Sequence, residues 1–126
     1  MRFLGRPPLA WSQPDLLGEG REEFRSGGFR AARALWKAEA LASSAYSRDW
    51  IEGLSLVAAG FQELEDDRPR RADRLLARGL KRLQHAPDVL DGVDVAAVRR
   101  AAIVLRVALR RGDPASARLL AAQPAV

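Results

Sequence analysis

The chain has 126 residues, a formal net charge of +5 and no cysteine. This length is enough for one domain with a buried core. The lack of cysteine excludes disulfides, thiolate metal sites and cysteine nucleophiles. Although 48% of the residues are hydrophobic, no apolar run approaches the ~20 residues that a membrane-spanning helix requires. We therefore expect a cytoplasmic protein without membrane association.

The first segment, residues 1–14, is predicted to be extended and to pack on the body of the protein, because its prolines oppose helix formation. Its interruption by glycine and proline also argues against a signal peptide. A helical bundle domain is predicted for residues 15–122, and a frayed C-terminus for residues 123–126. The side chains available for packing the first segment are Phe3, Leu4, Leu9 and Trp11.

Two helices are predicted at the start of the bundle domain. The first runs from Asp15 to Ser26, where Gly27 and Gly28 supply the backbone freedom that a helix end requires. The second begins near Phe29 and continues to about Ala42. Serines then mark a loop, and Ser47 is a candidate cap for the next helix.

Residues 49–83 form the central element of the chain and are predicted to be two antiparallel helices joined by a turn at residues 66–69. Asp67 is the candidate N-cap of the second helix. Pro69 fits its first turn, where a missing N–H is tolerated. The apolar stripes that indicate the two helices are Trp50, Leu54, Val57, Phe61 and Leu64 on the first, and Ala72, Leu75, Leu76, Gly79, Leu80 and Leu83 on the second.

Gly53 and Gly79 lie inside these two helices, where each glycine costs about 1 kcal/mol relative to alanine. Folding the pair about the turn brings Gly53 level with Gly79. We predict that the two glycines face each other and allow a close approach of the backbones. The alternative is that glycine is merely tolerated at both positions.

A structured connection follows, and Asp94 is predicted to cap a helix from Val95 to Arg111. Its apolar surface is wide, so we expect it to be well buried. Gly112 ends this helix, and a short last helix runs from Asp113 to about Ala122. The fold class is therefore all-α: a single compact bundle of about five or six helices, built from antiparallel helical hairpins.

A weak internal repeat supports the hairpin organisation. The segments that begin at Phe29, Pro69 and Pro114 each follow a turn, and each has alanine at the fourth position and leucine at the seventh. A small alanine lets a neighbouring helix come close. The irregular spacing favours a closed bundle over an open repeat array.

Two stretches of the sequence resemble a known protein family. They are EGREEFRSGGFRAARALW from Glu19 and IEGLSLVAAGFQEL from Ile51. Together with the helix from Pro69 and the Gly92-Val93-Asp94 sequence, they resemble the domain-of-unknown-function family 309, small all-helical bacterial and archaeal proteins. The resemblance covers residues 19–111. The positions that fit are Glu19, Gly20, Phe24, Gly27, Phe29, Ala32, Trp36, Gly53, Leu54, Ala58, Ala59 and Ala72.

Several polar positions depart from the pattern of that family. Its His-Glu pair falls at Arg33 and Ala34, and its two glutamines fall at Glu52 and Leu56. The resemblance implies that a polar cluster able to bind a metal or ligand has been lost or changed here. The family has no established biochemical role, so the resemblance implies a fold and leaves the function open.

Arg33, Glu39 and Glu52 are a candidate pocket at the place of this lost cluster. If the helix from Phe29 packs on the helix that contains Trp50, an Arg33–Glu52 ion pair could replace the polar residues of the family. A partly buried ion pair is weak evidence for stability. A structural replacement is favoured over an anion-binding pocket.

Basic residues spaced by four along the second hairpin helix are the candidate phosphate-contacting set. Such a stripe could follow a nucleic-acid backbone, although no aromatic residues interleave with it for base stacking. The alternative is a solvated helix face, partly paired with the acidic residues of Glu63–Asp67. The residues of this set are Arg70, Arg74, Arg78, Lys81 and Arg82.

The remaining candidates for chemistry are weak. His85 is the only histidine and is expected in an exposed loop. The acidic cluster at Glu63–Asp67 is interpreted as salt-bridged surface, because it lacks the ligand spacing of a calcium loop. No cofactor or metal is expected, and an enzyme is the least favoured class.

We therefore predict a non-enzymatic helical interaction module with a protein or small-ligand partner. Weak nucleic-acid binding through the arginine-rich face is the first alternative, and a metal- or ligand-binding protein with a degenerate family pocket is the second. The oligomeric state stays open.

Overall fold

The computed structural model describes residues 15–122 together with Pro124 and Val126. The predicted extended segment 1–14 lies outside the described residues. Within them, the all-α prediction is confirmed: six helices pack together, and the only sheet is one short hairpin. The elements are α1 (Leu16–Arg25), α2 (Phe29–Ala42), α3 (Ala45–Glu65), α4 (Pro69–Arg82), β1 (Val89–Leu90), β2 (Val93–Asp94), α5 (Val95–Arg110) and α6 (Pro114–Ala122).

Helix α3 is the centre of the bundle. Its contact with α4 is the largest, its contact with α2 is the next, and its contacts with α5 and α6 are much smaller. Helix α1 covers α2, and α5 lies against α4 and α6. Because α3 is covered on several sides, its second half is buried almost continuously from Gly53 to Leu64.

The α3–α4 contact is built on glycine. A Cβ atom on Gly79 would lie 2.9 Å from the carbonyl oxygen of Gly53, and one on Gly53 would lie 3.1 Å from the carbonyl oxygen of Gly79. The structure thus places the two glycines against each other. Gly60, which the sequence analysis did not single out, makes a second such contact: its Cβ would lie 3.2 Å from the carbonyl oxygen of Ala72.

Aromatic side chains join α1 and α2 to the central helix. The ring centroid of Phe24 lies 4.8 Å from that of Phe61 and 5.6 Å from that of Trp36. All three side chains are fully buried. The indole N–H of Trp36 donates to the carbonyl oxygen of Leu17 at 3.1 Å, so the polar edge of this ring is satisfied inside the core.

Three helices end in the same local structure, which explains the internal repeat. Gly27, Asp67 and Gly112 have φ angles of 89°, 61° and 71°. Around each, two backbone hydrogen bonds close a Schellman motif, such as Arg68 N to Glu63 O at 2.8 Å. A new helix begins two residues later. The fourth residues of these helices are all fully buried: Ala32, Ala72 and Ala117.

The prediction that Asp67 caps α4 is wrong. The N-cap position is Arg68, and its side chain makes no capping bond. Asp67 instead takes the left-handed conformation that ends α3, and its carboxylate pairs with Arg118 of α6. The prediction failed because one aspartate stands between two helices, and the end of the first helix determines its backbone.

The start of α3 also differs from the prediction. The helix begins at Ala45 with Ser44 at the N-cap, so Ser47 lies inside the helix and does not cap it. The side chain of Arg48 donates to the carbonyl oxygens of Ala40 and Ser43, at 3.1 Å each. This arginine thereby satisfies the C-terminal end of α2 and ties it to α3.

The connection between α4 and α5 contains a β-hairpin that was not predicted. Val89 pairs with Asp94 and Leu90 with Val93, around a two-residue turn at Asp91 and Gly92 with φ angles of 47° and 84°. An Asp-Gly pair between apolar residues is a recognised hairpin signal.

Both ends of α5 agree with the prediction to within one residue. The side chain of Asp94 caps the helix, accepting from the N–H of Ala97 at 2.9 Å. The C-terminal prediction falls partly outside the described residues, since Gln123 and Ala125 are not among them. Val126 packs against the core.

We expect Gly79→Ala to lower the free energy of unfolding by about 1–3 kcal/mol, because the added methyl group meets backbone atoms that cannot rotate away. Urea denaturation measures this change. Ala38→Gly, at an exposed position of α2, is the control for helix propensity alone and should cost about 1 kcal/mol. A neutral or stabilising Gly79→Ala would contradict the close approach.

The start of α6 is pH-sensitive. The side-chain hydroxyl of Ser116 donates to Asp113 at 2.7 Å and its backbone N–H at 3.1 Å. These bonds hold the pKa of Asp113 below its ordinary value, and the hydroxyl contributes most. Because the folded-state pKa is lowered, the stabilisation is complete above the ordinary carboxyl pKa and is lost as the pH falls through the lowered value.

We therefore expect Ser116→Ala to raise the pKa of Asp113 toward its ordinary value, since the main donor is removed. NMR titration of the side-chain carboxyl carbon measures the shift. Ser44→Ala is the matched control, because the Ser44 side chain makes no capping bond. An Asp113 titration that is identical in Ser116→Ala and the wild type would refute this assignment.

Candidate functional site

The candidate pair of Arg33 and Glu52 does not form. Within the described residues, Glu52 pairs with Arg82 at 3.2 Å, whereas the Arg33 side chain is exposed on the outer surface of α2. The contact between α2 and α3 at this level uses the backbone instead: the hydroxyl of Ser55 donates to the carbonyl oxygen of Arg33 at 3.2 Å. The predicted ion pair was therefore wrong.

The third member of that candidate pocket has a local role. The carboxylate of Glu39 is half-buried and accepts from the hydroxyl of Ser43 at 3.2 Å, next to the end of α2. No described group of three or more His, Asp or Glu side chains is placed to hold a metal ion. His85 lies in an exposed loop as predicted.

The predicted basic stripe on α4 is present in part. Its exposed members form one row on the side of α4 opposite Ala72, Leu76 and Gly79. The fifth predicted member, Arg82, does not belong to the row, because its guanidinium donates to Asp49 at 2.6 Å and to Glu52 at 3.2 Å. The α4 basic row consists of Arg70, Arg74, Arg78 and Lys81.

Most of the acidic residues before α4 are salt-bridged, as predicted. Glu63 is buried and pairs with Arg68 at 3.3 Å and with Arg71 at 3.8 Å. Asp66 approaches Arg30 at 4.0 Å. These carboxylates pair with other arginines and do not neutralise the α4 basic row.

Helix α5 adjoins α4 through one shared carboxylate. Asp73 of α4 accepts from Nε of Arg106 at 2.9 Å and lies 3.8 Å from Nε of Arg110. Asp73 and Arg106 are each about three-quarters buried, so this contact is shielded from solvent. Asp73 therefore links α4 to two arginines of α5.

The outer surface of α5 is apolar, which the sequence analysis did not foresee. Ile103, Val104 and Val107 are 50%, 48% and 42% exposed. We call these three residues the α5 outer face. The expectation that α5 is well buried was wrong for this side, because its apolar surface is wider than its neighbours α4 and α6 can cover.

Two depressions follow the seam between α4 and α5. One, of about 330 Å³, is lined by Leu80, Ile103, Val107 and two arginines. The other, of about 390 Å³, lies toward the end of α5 beside Leu109. Arg110 lines both. The seam therefore forms a shallow groove with an apolar floor and basic walls.

Charge is segregated onto these two helices. Of the 21 basic and 16 acidic side chains in the chain, α4 and α5 together hold ten basic ones and a single acidic one, Asp73. The rest of the chain therefore has more acidic than basic residues. The net charge of +5 understates how basic the α4–α5 surface is.

Two other exposed regions stand apart from this surface. A depression of about 790 Å³ lies beside α1, and half of the residues that line it are acidic, including Glu19 and Glu23. Tyr46 is exposed near the start of α3 and stacks edge-on against Trp50, with ring centroids 5.2 Å apart. Neither region combines an apolar floor with unpaired charge.

Comparisons of this chain with protein-family models, with curated proteins and with solved structures found no match. The resemblance to family 309 therefore stays a prediction. None of the described helices has both the length and the apolar composition needed to cross a bilayer.

We expect Asp73→Asn to weaken the α4–α5 contact, because the asparagine side chain keeps the shape but loses the charge that holds both arginines. The free energy of unfolding should fall by about 1–2 kcal/mol, measured by urea denaturation at low salt. Asp88→Asn is the matched control: it removes an ion pair with Arg99 whose carboxylate is 79% exposed. Equal costs for the two variants would contradict the shielding of Asp73.

Proposed function

We propose that this protein is a non-enzymatic helical interaction module and that it docks a protein partner on the α5 outer face. The observation that supports this is the grouping of Ile103, Val104 and Val107, each about half exposed, on one side of one helix. Single exposed apolar residues are ordinary, whereas a contiguous group with a polar rim is typical of a binding surface.

The energetics favour a protein partner. Covering three half-exposed aliphatic side chains contributes about 1 kcal/mol each, which suits a modest and reversible interaction. Arg100 and Arg111 are exposed at the two ends of the same side of α5, and arginine is enriched at protein interfaces. The surface thus has the apolar centre and charged rim of an interaction site.

The resemblance to family 309 is consistent with this proposal and adds no chemistry to it. The positions of the family's His-Glu pair, Arg33 and Ala34, are both exposed on α2. We propose that this member retains the helical framework of the family and uses a different surface.

Weak nucleic-acid binding is the second candidate, and the α4 basic row favours it. Arg70, Arg74 and Arg78 repeat every four residues on an exposed helix face, a spacing that could follow a phosphate backbone. The apolar centre of the neighbouring α5 outer face has no role in this alternative.

Affinity capture of the full-length chain, from an extract of the cells that produce it, distinguishes the two candidates. We expect Val107→Asp to abolish capture of a protein partner, since a carboxylate would be desolvated in an apolar contact. Leu41→Asp is the matched control, because Leu41 is 73% exposed on α2 and should leave capture unchanged.

Treatment of the extract with nuclease should not affect the captured protein. Loss of all captured material with nuclease, together with weaker retention of RNA or DNA by Arg74→Glu plus Arg78→Glu at low salt, would establish the nucleic-acid alternative. Capture that is equal in Val107→Asp and the wild type would refute docking on the α5 outer face.

A further inference from the structure

The groove between α4 and α5 has features that select a particular kind of partner. We infer that it binds an acidic amphipathic helix, with the apolar side of that helix on the α5 outer face and its carboxylates against the surrounding arginines. This inference rests on the proposed docking function and specifies its ligand.

The length of the α5 outer face, which borders the groove, suits a partner helix of about three turns. Arg100 and Arg111 are eleven residues apart, which is about 16 Å along an α-helix. Between them lie Ile103, Val104 and Val107 at helical spacing, and Leu80 of α4 forms part of the floor beside Ile103 and Val107. A partner helix with apolar residues at steps of three and four could place them along this line.

The charges around the groove determine the sign of the charge that a partner must carry. Helix α5 has no acidic residue, and the single carboxylate of α4, Asp73, is already bound to Arg106 and Arg110. Among the described residues, the ion pairs of the structure do not include Arg100, Arg111 or the α4 basic row. An acidic partner would therefore meet a positive potential without competition, which favours fast and salt-sensitive association.

A second copy of the chain is a poor occupant for the same reason. A two-fold symmetric contact brings the same surface patch together from both subunits. Arg100 and Arg111 of one copy would then face arginines of the other, and like charges at an interface are costly. Charge complementarity thus excludes this groove as its own partner.

Nucleic acid also fits the groove less well. Phosphates would use the α4 basic row, but Ile103, Val104 and Val107 would remain exposed in such a complex. The exposed aromatic side chain of the described residues, Tyr46, lies on α3, so this face lacks a stacking platform for bases. An acidic amphipathic protein segment uses both the apolar floor and the basic walls, whereas nucleic acid uses the basic walls alone.

Fluorescence anisotropy with the full-length protein tests the inference. The probes are a labelled peptide with leucines at i, i+3, i+4 and i+7 and glutamates between them, a scrambled peptide of identical composition, and a single-stranded DNA oligonucleotide. We expect the first peptide to bind at least about tenfold more tightly than the scrambled one, because scrambling removes the apolar stripe and keeps the charge.

The variants separate the apolar contribution from the charge contribution. Val107→Asp and the pair Arg100→Glu plus Arg111→Glu should each weaken peptide binding about tenfold or more. Arg33→Glu plus Lys37→Glu is the matched control, since it makes the same charge change on the exposed side of α2. That control should change binding by at most about twofold. Raising the salt to about 0.3 M should weaken the peptide complex.

Urea denaturation of each variant verifies that it folds, and the exposure of the mutated side chains makes this the expected result. Equal binding of the ordered and scrambled peptides, or equal effects of the two charge reversals, would reduce the interaction to general electrostatics and overturn the inference. Tight DNA binding that ignores Val107→Asp would overturn it in favour of nucleic acid.

Failure of this inference is distinguishable from failure of the proposed function. If Val107→Asp abolishes capture of the cellular partner but the acidic peptide does not bind, docking on the α5 outer face is supported and the inference of an acidic helical partner is wrong. If capture and peptide binding are both insensitive to Val107→Asp, then both proposals fail.

Discussion

The structure depends on the close approach of α3 and α4. Gly53 meets Gly79, and Gly60 meets Ala72, so closely that a Cβ atom on any of the three glycines would lie within 3.2 Å of the opposite backbone. Each glycine weakens its own helix by about 1 kcal/mol relative to alanine. The contact offsets this cost by letting two backbones pack closely over several turns and by fixing their antiparallel register.

The register of α3 and α4 determines which surfaces the remaining helices can cover. With α4 on one side of α3 and α2 on the other, α5 is left to pack on the flank of α4 and on α6. Most of its apolar surface joins the core, through residues such as Val98, Ala102 and Leu105. The part that its neighbours do not cover is the α5 outer face.

The arginines divide into two functional groups. Arg48 and Arg99 donate to backbone carbonyls at helix ends, while Arg82 and Arg106 link neighbouring helices through carboxylates. These side chains stabilise the fold, and they account for part of the arginine excess without any ligand. Within the part of the chain that the structure describes, the α4 basic row makes no such contact, so its charge is available to a partner.

Local signals in the sequence were enough to place the helices and several of their ends. Apolar periodicity, Gly27, Gly112 and the Asp94 cap act through bonds between residues a few positions apart, so they can be read without the fold. Even the missed hairpin had a local signal in its Asp-Gly turn. The Gly53–Gly79 contact was also predictable. When the position of the turn in a helical hairpin is known, the residues of the two helices that lie level with each other can be counted from it.

The exposed surfaces and the ion pairs follow from contacts that form only in the folded chain. Glu52 pairs with Arg82 and not with Arg33, and Asp67 pairs with Arg118, fifty-one residues away. The exposure of Val104 likewise depends on how far α4 and α6 extend over α5. Such contacts join residues that are distant in the sequence. Apolar periodicity predicts which face of a helix is apolar, but it does not predict which neighbouring helix covers that face.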